Sequence, residues 1–126
     1  MLPNFLVPEC VSQQDGTSQD FELGDSQGGM LQLTLGITRI IEQESIDVSI
    51  WGSSDKTDWG AKPIASFPQK FYCGVYTILA DLGVHREVRT IRVQWKLSRW
   101  GRGELQPMFG FYVFAEEVAG QAMAAG

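Results

Sequence analysis

Chemistry-bearing side chains are scarce in this chain. It holds one histidine, His85, and two cysteines, Cys10 and Cys73, in 126 residues. Neither cysteine has a histidine or a second cysteine at ligand spacing, so the CxxC, HxH and HExxH patterns of metal centres are missing. No glycine-rich phosphate loop opens a helix, and His85 sits in the turn GVHRE, where a lone histidine faces solvent. No two carboxylates are set apart by their spacing; Glu42, Glu44 and Asp47 fall at positions read as exposed. General acid–base work needs two groups held together with matched pKa values, and nothing here supplies them, so the expectation is a non-enzymatic protein without a cofactor.

Long apolar runs are also lacking. No stretch approaches the roughly 20 residues of a spanning helix, which argues against membrane insertion. The start, MLPNFLVPEC, has no basic segment ahead of its proline-broken apolar stretch. It does not read as a secretory signal, so the cytoplasm is the default compartment and the cysteines are expected as free thiols, with lysis or non-classical export left open. A basic excess is missing as well: the net charge of −5 argues against a nucleic-acid binder. That number conceals an asymmetry. Residues 1–58 carry ten acids and two bases, whereas residues 59–126 carry five acids and eight bases, six of them between Arg86 and Arg102. The halves either neutralise one another in the fold or leave a charged surface for a partner.

Glycine and aromatic residues are plentiful, at 14 each, and the length suits a single domain. Period-two alternation marks strands at Leu31–Ile37, Ile46–Ile50 and Ile91–Leu97. Val75–Leu82 reads as a further strand, and Met108–Ala115, apolar on both faces, as a central one. A short edge strand is expected within 61–72, and one more near Phe21–Leu23 in the polar stretch 12–29. Cys10 falls in an expected loop. The expected fold is all-β, an antiparallel β-sandwich or jelly roll of seven or eight strands. It is one domain over 1–126, with an acidic lead-in (1–29), a sandwich core (30–116) and a small-residue tail (117–126).

Two segments resemble the galactose-binding-like superfamily of jelly rolls, which includes discoidin and coagulation-factor type C domains. IDVSIWGSSDKTDWG (46–60) is similar to its strand–loop in Gly52, Ser53, Asp55 and Trp59, with Lys56 where glycine is usual. EVRTIRVQW (87–95) resembles a later strand in Arg89, Ile91 and Arg92, and ADLG (80–83) stands after the loop rather than before it. The resemblance implies the fold and, for some members, a structural calcium; the lead-in acids Asp15, Asp20, Glu22 and Asp25 are the oxygen donors available, against a plain solvated loop.

The binding expectation rests on aromatics in loops. In SRWGRG (98–103), Trp100 lies between Arg99 and Arg102, with glycines that permit a tight exposed turn. An indole face with guanidinium donors suits a carbohydrate or an anionic glycan. Trp51 and Trp59 extend that surface, and Asp55 closes the corner between them. The bland alternative has the arginines tying the loop down, Trp59 capping the core, Arg89 facing inward to pair at the rim with Asp81, and Arg92 and Lys96 solvated on the outer face. A second functional reading is a structural or interaction subunit, which forms a homo-oligomer or docks on a larger protein assembly as the basic strand meets the acidic lead-in.

Overall fold

The computed structural model describes residues 2–100 and 106–118, and they form an antiparallel β-sandwich. Nine strands run in chain order: β1 (Asn4–Ser12), β2 (Gly16–Thr17), β3 (Phe21–Glu22), β4 (Met30–Arg39), β5 (Glu44–Ser53), β6 (Ala65–Ser66), β7 (Gly74–Asp81), β8 (Thr90–Arg99) and β9 (Phe109–Val118). One sheet has the order β1-β9-β4-β7. The other has β2-β8-β5-β6, with β3 also pairing β8. Two 3-10 turns, Gly24–Ser26 and Leu82–Val84, are the helical elements among the described residues.

Alternation builds the core. Leu31, Leu33, Leu35 and Ile37 of β4 and Phe109, Phe111, Val113 and Ala115 of β9 face Ile46, Val48 and Ile50 of β5 and Ile91 and Val93 of β8, all buried. The apolar outer residues of β9 are explained by its neighbours. Tyr112 lies across Gly36, and Phe5 of β1 meets Tyr112 and Phe114 edge-on at 5.7 and 4.9 Å.

Several expectations are corrected here. The lead-in is part of the sandwich. β1 pairs β9 with Cys10 opposite Phe111, so Cys10 sits in a strand rather than a loop, and burial pushes its thiol up. Leu6, Val7 and Leu23 belong to the core, which therefore begins well before residue 30. Register shifts in β1 put Leu6 and Val7, adjacent in sequence, both inside, which erases the alternation that would announce a strand. Arg89 is exposed rather than inward, because β8 starts at Thr90 and Val88 takes the buried place. Asp81 accepts the Gly83 N–H at 2.8 Å as the cap of the second 3-10 turn. Arg92 is half-buried rather than solvated. Glu44, read as exposed, is buried at 1%.

Candidate functional site

The long strands β4 of one sheet and β5 of the other are joined by a short connection over residues 40–43, where Gln43 takes a left-handed φ of 60°. Two contacts fix this turn against the far end of β8, and a third closes it on itself. The Trp100 N–H donates to the Gln43 carbonyl at 2.9 Å, Arg99 Nε donates to the Glu42 carbonyl at 3.4 Å, and Glu44 Oε2 accepts the Ile41 N–H at 2.9 Å. The other Glu44 oxygen accepts the Met108 N–H at 2.8 Å, so one buried carboxylate ties the turn to the approach of β9. A carboxylate this buried needs such donors, and these two amides supply them.

Aromatic rings surround this end of the sandwich. Phe71 packs edge-on to Trp100 at 6.1 Å and is tilted against Tyr72 at 6.3 Å. All three stay open to solvent: Phe71 is 40% exposed, Trp100 47% and Tyr72 72%. With Ile40 and Ile41 they line a groove of about 440 Å³, whose polar side is Glu42, Gln43 and Glu44. That volume falls in the range of small-ligand sites, and the three rings are contiguous, the kind of exposed apolar patch that marks a contact surface rather than singly scattered residues. The groove can stack a flat apolar face on a ring and accept hydrogen bonds from hydroxyls at the exposed Glu42 and Gln43, while Glu44 beneath them is spent on its two amides.

The residues expected to form one surface are divided between two places. Trp100 and Arg99 are at the groove, although Arg99 holds the turn backbone rather than pointing to an open site; Arg102 lies outside the described residues. Trp51 and Trp59 lie near the opposite end of β8. Trp51 is opposite Arg92 in the β5–β8 register, and its Nε1 donates to Ser49 Oγ at 2.9 Å. Trp59 covers Arg92, whose guanidinium carbon is 4.0 Å from the ring centroid. Eight residues of extended strand, roughly 26 Å, separate Arg92 from Trp100.

Asp55 works within its own loop. Its Oδ1 accepts the Thr57 and Asp58 N–H groups, both at 2.9 Å, and the Ser53 hydroxyl at 3.0 Å. These bonds favour the charged form and lower its pKa to about 2. Ser53 Oγ in turn accepts from the Asp55 and Lys56 amides. Lys56 has a φ of 65°, the left-handed backbone form that glycine adopts most readily.

The lead-in acids serve separate tasks. Asp15 accepts the Leu97 N–H at 2.8 Å, Glu22 pairs with Lys56, and Asp25 sits in the first 3-10 turn. Among the described residues no three of His, Cys, Asp and Glu come together as metal ligands. Nor is any helix there long and apolar enough to cross a membrane.

Sequence reasoning missed Phe71, Tyr72, Gln43 and Glu44. Phe71 and Tyr72 were visible as an aromatic pair ahead of a strand, but nothing in the chain between Tyr72 and Trp100 says that they meet. Glu44 did leave a signal, since it continues the inward parity of Ile46, Val48 and Ile50 by one step. No protein-family model matches the chain and no curated protein matches it in sequence, so the groove is interpreted from its own geometry.

Proposed function

We propose that this protein is a non-catalytic binding module that takes a carbohydrate in the groove beside Trp100. The observation that carries this reading is the cluster of three solvent-open rings, Phe71, Tyr72 and Trp100, set against a polar side of the exposed Glu42 and Gln43. A pyranose offers an apolar C–H face to a ring and hydroxyl donors to carboxylate and amide oxygens, and the groove has both kinds of partner. With Arg99 engaged at the Glu42 carbonyl and the polar side acidic, the reading favours a neutral sugar over an anionic one. The kinship with galactose-binding-like jelly rolls belongs to the same proposal and rests on residues 46–60 and 87–95.

A glycan array followed by calorimetric titration of the best neutral sugar tests it. Trp100→Ala is expected to weaken binding at least tenfold with little change in melting temperature, because the indole is half-exposed. Trp59→Ala, at the other end of β8, is expected to leave affinity unchanged. A wild-type protein that retains no sugar on the array, or that loses affinity equally in both variants, would refute the assignment.

A further inference from the structure

The two edges of the four-stranded sheet are built differently. β1 is guarded: it contains Pro8 and Glu9 and breaks register twice along β9, features that discourage another strand from pairing with it. β7 at the opposite edge has no such guard. It pairs β4 through eight consecutive residues without a bulge, and from Gly74 to Ala80 it has neither a charge nor a proline. Among the described residues β4 is its one strand partner, so its other side presents a row of unpaired N–H and C=O groups. On its outer face Val75 and Leu79 are 66% and 53% exposed. In the other sheet the edge strands β2 and β6 are two residues each, too short to serve as a template.

The β7 sequence is self-complementary. Antiparallel pairing centred on Thr77 sets Val75 of one copy against Leu79 of the other, an apolar cross-strand pair on each side of the axis. Between the two ends no like charges meet, since Gly74 to Ala80 are all uncharged.

We propose that β7 is a self-association edge, through which two copies of this chain pair antiparallel about a two-fold axis at Thr77. The two four-stranded sheets then become one continuous sheet of eight. The contact is one strand per partner, which belongs to the small, transient class of interfaces, so dimers are expected from micromolar concentration upward. The proposal is independent of the groove and of any sugar.

Sedimentation and light scattering across a concentration series test it on the full chain. The expected result is a species of twice the 14.0 kDa chain mass that grows with concentration. Val75→Lys combined with Leu79→Lys should abolish it without changing the melting temperature, since both side chains are solvent-facing. Thr77→Cys, made with Cys10→Ser and Cys73→Ser, should cross-link on mild oxidation, because opposed Cα atoms in an antiparallel pair lie within disulfide reach. Val84→Cys in the same background should not. A strict monomer at millimolar concentration, a dimer indifferent to both lysines, or cross-linking at residue 84 but not at 77 would each overturn it.

Discussion

Asp55 closes the loop after β5 by accepting three hydrogen bonds on one oxygen, and its loss of charge would undo all three. The pKa of about 2 in the folded protein lies below the ordinary 3.8. Because the folded value is the depressed one, its stabilisation is fully present above about pH 4 and is lost as pH falls toward 2. Melting temperature recorded from pH 5 to 2 should therefore drop in the wild type, and the drop should be shallower in Asp55→Asn. Equal slopes would mean that the loop is closed by Ser53 alone. Glu44 is the other residue whose carboxylate organises backbone, here buried and bridging the amides of Ile41 and Met108. Glu44→Ala leaves both amides without an acceptor and should destabilise the domain by about 2–4 kcal/mol. Denaturant unfolding reads this directly, and a change below about 1 kcal/mol would show that water replaces the carboxylate.

Strands were legible wherever one face alone is buried. β4, β5 and β8 alternate because their inner side chains fill the core while their outer ones meet water or the lead-in. β9 was legible as central from its apolar outer face, but the reason for that face lies in two other elements, Gly36 of β4 and Phe5 of β1. A Cβ at Gly36 would stand 2.1 Å from the Tyr112 ring. Gly36→Ala should thus force the ring off its site and destabilise by about 1–3 kcal/mol, the usual range for overpacking. Gly28→Ala is the informative contrast: nothing lies within 4 Å of its Cβ position, yet its φ of 78° strains any side chain. Tyrosine fluorescence should change in the Gly36 variant and not in the Gly28 one. β1 escaped notice because its register shifts bury neighbours and its proline reads as a break, which is tolerable at a sheet edge. The candidate groove was legible only at Trp100; Phe71 and Tyr72 join it through folding of chain segments far apart in sequence.

At the scale of the whole molecule, the acidic first half and the basic later half meet within one chain. β2 and β3 lie along β8, Asp15 and Glu22 are bonded there or nearby, and the basic stretch that looked available to a partner is in part covered by its own lead-in. The lead-in is consequently structural. A fragment of residues 30–118 lacks β1, β2 and β3 and the buried Leu6, Val7 and Leu23. Three such side chains at roughly 2–5 kcal/mol each rival the ~5–15 kcal/mol that holds a whole domain together. The fragment should give a collapsed, poorly dispersed amide spectrum; sharp native-like dispersion would show that the core is complete without its first segment.

By itself the sequence determined the class of fold and most of its inner faces, because a strand's alternation is a local record of which side meets water. It also marked the scarcity of histidine, cysteine and paired acids, a matter of composition that no folding can alter. Only the tertiary structure decided where those strands lie in the sheets, that Glu44 is inside, that Trp51 and Trp59 are far from Trp100, and that β7 is left with an open edge. Each of these depends on which distant segment arrives as a neighbour, and a neighbour across a sheet leaves no period in the chain that precedes it.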